Sequence, residues 1–278
     1  MIGAARPEDK AAVMEVYRAC FPGEEGFCRF FFDNVYRPDN TLVCRVEGKL
    51  AASVQLLPVR LRLGGAVVPA TYIYAAGTLP QFRSRGLMSW LLRRSFEVSA
   101  ARGDELSVLI VQQPSLLAYY ARLGYRAVFA RECFRVSADG GTAQPRYMRP
   151  EDWRAADALY EDAQTGLHAV RAEKDWQIIL RQYGEDAWVL TDDAGAVTAF
   201  ALTEELKDGV LHATEALGGQ SRELMAALAA RKGAQAAEWF APVCAAAEEN
   251  GCARALTQNG ERLLQQMRGC GYLNVLFN

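Results

Sequence analysis

The stretch from Thr71 to Leu92 combines residue types that together can seat an anion. A β-rich run, Thr71-Tyr72-Ile73-Tyr74-Ala75-Ala76-Gly77-Thr78, meets Leu79-Pro80-Gln81-Phe82. The basic segment Arg83-Ser84-Arg85-Gly86 follows, and then an apolar helical run, Leu87-Met88-Ser89-Trp90-Leu91-Leu92. The first N–H groups of a helix have no intrahelical partner and lie at the positive end of its dipole. Glycine at the entry lets a phosphate reach the backbone, and two arginines add charge. The plain alternative is a surface loop with solvated arginines.

The elements that must position this stretch can be read in order. Arg6-Pro7-Glu8-Asp9 opens a helix, with proline and acids suited to its first turn. Val13, Val16, Tyr17, Cys20 and Phe21 carry the apolar stripe until Pro22-Gly23. Phe27, Phe30, Phe31 and Val35 mark a second helix and read as core. Strands are expected at Thr41 to Val46 and Lys49 to Leu56 around the turn Glu47-Gly48. Val59 to Leu63 and Ala66 to Val68 flank Gly64-Gly65 as a second hairpin, and Ala70 to Thr78 feeds the basic loop. The helix after the loop ends near Arg102-Gly103. Leu106 to Val111 reads as a central strand. Pro114-Ser115 starts a helix over Leu116 to Leu123, Gly124 caps it, and Tyr125 to Arg135 is a further strand.

Composition narrows the class. The 278 residues suggest roughly two domains, and 51% hydrophobic content is that of a soluble globular chain. A net charge of −2 supplies no overall field toward nucleic acid or an anionic membrane. No apolar run approaches the roughly 20 residues of a membrane helix, and the charged N-terminus is no signal peptide. The cysteines, at 20, 28, 44, 133, 244, 252 and 270, lack zinc-knuckle or redox spacing and read as reduced thiols of a cytoplasmic protein. His168 and His212 are the only histidines, so no metal site is expected.

The second half repeats the first. Arg149-Pro150-Glu151-Asp152 restates Arg6-Pro7-Glu8-Asp9 at an offset of 149 − 6 = 143. Asp193-Ala194-Gly195 repeats the Glu47-Gly48 turn. Ser221-Arg222-Glu223-Leu224-Met225 overlays Ser84-Arg85-Gly86-Leu87-Met88 at 223 − 86 = 137. Gly271-Tyr272 overlays Gly124-Tyr125 at 271 − 124 = 147, with Val275 over Val128. The order implies two copies of one α/β unit. We place the first lobe at 1–136, a linker at 137–148 centred on Asp139-Gly140-Gly141, and the second lobe at 149–278. The copies differ where chemistry would occur: Glu223 stands for Gly86, Gln220 for Arg83, and Met267 for Tyr120.

Arg83-x-x-Gly86-x-Met88, with the later Ala118-Tyr119-Tyr120-Ala121-Arg122-Leu123-Gly124-Tyr125, resembles the GNAT superfamily of acyl-CoA N-acyltransferases. The tandem layout is similar to the enhanced-intracellular-survival type, without its sterol-carrier-like third domain. The resemblance implies an α/β fold of the α+β mixed-sheet kind. Two tandem lobes would each carry a mixed, mostly antiparallel sheet flanked by helices, the first catalytic and the second degenerate. It implies acetyl-CoA as co-substrate and no metal. Gly77, Thr78 and Leu79 would pair with the pantetheine arm. The N–H groups of Arg83, Ser84, Arg85, Gly86, Leu87 and Met88 would hold the pyrophosphate, and Ser115 would touch pantetheine or adenine. The family position filled by Met88 is usually small, so its side chain must turn into the helix packing. Tyr120 would protonate the departing thiolate as general acid; the plain alternative is a core tyrosine between Ala118 and Ala121.

The expected reaction is direct attack of an amine on the thioester, with a small-molecule amine or a lysine side chain as acceptor. A backbone N–H near Thr78 would polarise the carbonyl. Tyr72, Tyr74, Trp90 and Phe27 are candidates to line the acceptor cleft. Candidate bases are Glu24, Glu25, Glu215, the Asn278 carboxylate or a water chain, and the sequence selects none. Neither nucleic acid nor membrane is expected as partner, and homo-oligomerisation is left open. Two further readings stay open: a non-catalytic acyl-CoA-binding or scaffold protein with this fold, and an aminoacyl-tRNA-dependent ligase, which would want a basic groove.

Overall fold

A computed structural model describes residues 1–23, 25–139, 141–242, 248–267 and 270–274. Glu24, Gly140, Cys244, Val275 and Asn278, singled out above, lie outside the described residues. The chain runs β1 (Ile2–Ala4), α1 (Lys10–Cys20), α2 (Glu25–Asn34), β2 (Thr41–Val46), β3 (Lys49–Leu63), β4 (Ala66–Thr78), α3 (Leu87–Ala101), β5 (Leu106–Ile110), α4 (Leu117–Ala121) and β6 (Arg126–Ser137). It continues with β7 (Arg146–Tyr147), α5 (Trp153–Asp162), β8 (His168–Ala169), α6 (Glu173–Tyr183), β9 (Ala187–Thr191), β10 (Val197–Lys207), β11 (Val210–Leu217), α7 (Ser221–Arg231), β12 (Ala236–Ala241), β13 (Glu248–Ala255) and α8 (Gln258–Gln266). The fold class is the expected mixed α/β one.

Two compact units emerge, and neither is a continuous half of the chain. Unit 1 comprises Met1–Ala127 with Gly251–Gln266; unit 2 comprises Val128–Asn250 with Met267–Asn278. The partition differs from the order of the sequence repeat. Strand β6, expected in the first lobe, pairs antiparallel with β12 from Ala236↔Ser137 to Ala241↔Glu132. Strand β13, from the second half, pairs antiparallel with β5 from Gly251↔Ile110 to Ala255↔Leu106. A repeat alignment records the order of segments, whereas sheet pairing is decided by which edge buries a strand's apolar face.

Unit 1 is built on the order β1-β2-β3-β4-β5-β13, in which the β4–β5 pair is parallel. Its first hairpin turns at Glu47 and Gly48, with φ of 51° and 80°. Positive φ at both positions matches the twist of the flanking strands. The segments expected as four short strands form two long ones, β3 and β4, which pass through exposed Pro58 and Pro69. Each proline removes one local donor, while the apolar runs on both sides keep the ladder in register. Helix α1 begins after a turn fixed by Arg6 N–H donating to Asp9 Oδ2 at 2.8 Å. It buries Val13, Val16 and Tyr17. In α2 the fully buried rings are Phe31 and Phe32. Helix α3 buries Leu87, Leu91 and Leu92 against the sheet.

Unit 2 follows the order β6-β12-β11-β10-β9-β7. Its core gathers Tyr160, Trp176, Phe200, Leu224 and Leu228. At its centre Glu215, fully buried, accepts both Nη groups of Arg171, at 2.6 and 3.0 Å. It also accepts from Tyr272 Oη at 2.9 Å and Asn274 Nδ2 at 3.0 Å.

Candidate active site

The end of β4 supplies the first wall of the cleft. Its ladder to β5 covers Ala70, Thr71 and Tyr72, so pairing stops well before Thr78. Against β3 the register shifts between Ser53↔Gly77 and Gln55↔Tyr74, which marks a bulge at Ala75 and Ala76; Ala75 has φ 47°. Such a bulge re-aims the strand end. Gly77 lies against α1: a Cβ there would meet Cys20 Sγ at 2.9 Å and Val16 Cγ1 at 3.3 Å. Glycine is therefore the residue that lets α1 close on the strand.

The loop supplies the second wall. A short 3-10 turn, Pro80–Phe82, is followed by Ser84 and Gly86 in left-handed conformation, with φ of 61° and 74°. The Arg83 N–H donates to Pro80 O at 3.2 Å. From Ser84 through Ser89, six consecutive backbone N–H groups have no hydrogen-bond acceptor among the described residues. They lie at the start of α3, where the helix dipole is positive. Successive free N–H groups bent by left-handed residues form an anion-binding concavity. Above Gly86 an added Cβ would meet nothing within 4 Å, so that face is open. Arg83 Nε donates to Thr78 O at 3.1 Å, Arg85 Nη2 to Gln81 O at 3.2 Å, and the Arg85 guanidinium lies 5.3 Å from the Phe82 ring centre. Both arginines stay exposed. Met88 is half-buried and packs against the unit 1 core.

Helix α4 supplies the third wall. Tyr119 and Tyr120 pack edge to face at 5.2 Å, and Tyr120 packs on Tyr125 at 5.6 Å. Tyr119 Oη shares a hydrogen bond with Ser89 Oγ at 3.1 Å, which ties α4 to the first turn of α3. Burial pushes the Tyr120 phenol well above its ordinary range, with smaller contributions from Tyr119 and Cys252. The phenol is thus held protonated at neutral pH. Gly124 has φ 84° and closes the helix, as its sequence position implied.

These walls enclose a cleft of about 570 Å³. Of the expected residues, Gly77, Thr78, Arg83, Ser84, Arg85, Gly86, Leu87, Met88 and Tyr120 line it; Leu79 and Ser115 do not. The Leu79 N–H is consumed by Ala51 O at 3.0 Å, and Ser115 is exposed and outside the lining, although Gln112 and Leu116 beside it belong to that lining. Sequence reasoning missed Cys20, Phe21, Phe82, Ser89 and Tyr119, which also line the cleft. Tyr72, Tyr74, Trp90 and Phe27 do not line it, and Trp90 is 59% exposed.

No carboxylate lines this cleft among the described residues. Glu25 is held by Arg18 and Arg29 at 2.8–2.9 Å, and these cations bring its carboxyl down to about 2. Glu215 is locked in the buried Arg171 pair of unit 2. Neither is available as a base. No three or more His, Cys, Asp or Glu side chains are placed to hold a metal among the described residues.

Residues 2–128 match the family model of the acetyltransferase (GNAT) domain. The chain has the GNAT fold. A GCN5-related N-acetyltransferase from Anabaena variabilis superposes with a TM-score of 0.72 at 17% identity, covering 92% of this chain and 73% of that one. Eis1 from Mycobacterium abscessus gives 0.66 at 17% identity, covering 92% and 74%. N-myristoyltransferase from Saccharomyces cerevisiae, solved with bound myristoyl-CoA, gives 0.61 at 11% identity, covering 99% and 84%. No curated protein matches the sequence. Among the described residues no helix is long and apolar enough to cross a membrane.

Proposed function

We propose that this chain is an acetyl-CoA-dependent N-acetyltransferase acting on a primary amine, with unit 1 as the catalytic unit. The observation that carries the reading is the run of six unpaired N–H groups from Ser84 to Ser89. It opens onto the same cleft as Gly77, Thr78 and Tyr120. The run suits a pyrophosphate, and Arg83 and Arg85 add positive charge beside it. The strand end at Gly77 and Thr78 suits the amide groups of a pantetheine arm. A GNAT domain model over residues 2–128 supports the same chemistry.

In the reaction the amine nitrogen attacks the thioester carbonyl. A C–N bond forms, the C–S bond breaks, and the electron pair leaves on sulfur. The Tyr120 hydroxyl donates its proton toward that sulfur. Its raised pKa keeps the donor form present, and because a thiol ordinarily titrates near 8.5, the phenol acts first as a hydrogen-bond donor. The ammonium sheds its proton before attack, and with no carboxylate lining the cleft among the described residues that proton goes to water. Positioning of the two substrates supplies most of the rate. The acceptor is a small-molecule amine or a lysine side chain.

The lack of a carboxylate among the described lining residues favours one rival reading: a binding or scaffold protein that holds acyl-CoA without turnover. A thiol-release assay with acetyl-CoA and a panel of polyamines, aminoglycosides and lysine peptides separates the two. Release above the amine-free rate supports transfer. Tight acetyl-CoA binding without release from any amine supports the scaffold.

A further inference from the structure

Unit 2 holds a small cavity of about 140 Å³, lined by Arg131, Glu204, Thr214, Phe240, Asn250 and Tyr272 together with Leu273 and Asn274. That is room for about four or five water-sized groups. Two of its polar atoms are buried and without partners: Asn250 Oδ1 and Arg131 Nε. Asn250 is only 5% exposed. A buried carbonyl oxygen and a buried N–H left unmet at one cavity call for a ligand or water to satisfy both.

The walls are built to hold shape. The Arg131 guanidinium lies 3.6 Å from the centre of the Phe240 ring and reaches Glu248 only at 3.5 Å. Tyr272 and Asn274 are fixed by their hydrogen bonds to Glu215. Glu204 stands at the exposed edge, with no hydrogen bond or ion pair among the described residues. The cavity therefore presents two acceptors, Asn250 Oδ1 and the Glu204 carboxylate, and one cationic donor, Arg131 Nε. An ammonium group donates three hydrogen bonds and suits the acceptors; a carboxylate suits the arginine.

We propose that this cavity binds a small zwitterion in which a primary ammonium neighbours a carboxylate, the chemistry of a free α-amino acid. The ammonium sits between Glu204 and Asn250, and the carboxylate sits on Arg131. The site lies within unit 2 and does not depend on the acyl-transfer reading of unit 1.

Calorimetric titration of the full chain with L-alanine tests this, with ethylamine and propionate as half-ligands. The expected result is saturable L-alanine binding on the order of 1 mM, with both half-ligands at least about tenfold weaker. Glu204→Gln should weaken L-alanine at least about tenfold. Asn250→Asp keeps an acceptor and should retain binding, whereas Asn250→Leu should lose it, each variant checked for an unchanged far-ultraviolet spectrum. No saturable binding to the unaltered chain overturns the proposal. So does equal affinity for a half-ligand, or L-alanine affinity unchanged by Glu204→Gln. Where Asn250→Leu fails to fold, the Glu204→Gln and half-ligand results decide.

Discussion

The strand-to-helix corner occurs twice in this chain, and the two corners are built differently. In unit 1 eight residues, Leu79 to Gly86, join β4 to α3; in unit 2 three, Gly218 to Gln220, join β11 to α7. The helix frames agree, since Leu87 and Leu91 are buried as are Leu224 and Leu228. The first turns do not. Ser221, Arg222 and Glu223 are already inside α7, where their sequence counterparts Ser84, Arg85 and Gly86 still belong to the loop. Ser221 N–H donates to Gly218 O at 3.1 Å and Leu224 N–H to Gln220 O at 3.0 Å. Gln220 Oε1 accepts from Thr198 Oγ1 at 2.6 Å. The second corner has used donors that the first leaves open. Glu223 then adds a carboxylate to a cleft of about 620 Å³ at that corner. The seat for an anion is thus a matter of loop length and backbone conformation before it is a matter of charge.

The comparison can be broken at its strongest point first. Gly86→Glu imports the second corner's residue into the first. It adds a negative charge at the open N–H run and a side chain at φ 74°. We expect acetyl-CoA affinity to fall at least about 100-fold, read by calorimetry; unchanged affinity would remove the loop from the binding site. Tyr120→Phe should lower kcat about 10- to 100-fold with acetyl-CoA affinity held within about twofold. A normal kcat at saturating amine would return Tyr120 to the core.

The same phenol sets a pH limit. Its folded pKa is raised, so its donor form persists as pH rises past the ordinary phenol value of about 10. The rate should climb as the amine deprotonates and show no falling limb below about pH 10. A descending limb centred near pH 8 would contradict it. Arg83→Gln copies Gln220 and should cost only about three- to tenfold in affinity, with a shallower salt dependence. The smallest expected effect is the sharpest test. Glu223→Gly should create no second acyl-CoA site, because the Ser221 and Leu224 N–H groups on either side of the remaining open donors are already bonded. A doubled calorimetric stoichiometry would show that charge alone separates the corners.

The elements around the basic loop and the identity of most lining residues were legible in the sequence. Periodicity located α1, α3 and β4, and the spacing from Arg83 to Met88 located the cleft. What remained hidden depends on tertiary approach. Arg83 N–H is spent and Ser89 N–H is open, a shift that follows from left-handed Ser84, for which serine carries no clear signal. Cys20 and Phe21 reach the cleft because α1 packs on Gly77, a contact that no local pattern announces. Leu79 looked like a free strand end, but the ladder extends one more bond to Ala51. The pairing of Arg18 with Glu25 at sequence distance seven, which retires Glu25 as a base, also needs the turn between two helices. The domain partition was hidden for another reason: β6 and β13 each pair with strands from the opposite half of the sequence.

That exchange of strands has a consequence for synthesis. During translation the segment through β5 emerges long before Gly251–Ala255, its antiparallel partner. Until then the nascent chain carries an open strand edge whose residues are built for burial. Native contacts of this sequence separation fold slowly, and waiting edges invite association with other chains. A fragment cut at the boundary of the sequence repeat would therefore retain the whole unit 1 cleft and lack the strand that closes its sheet. Expression of such a fragment should give aggregates, while supplying residues 248–266 as a separate peptide should rescue soluble material.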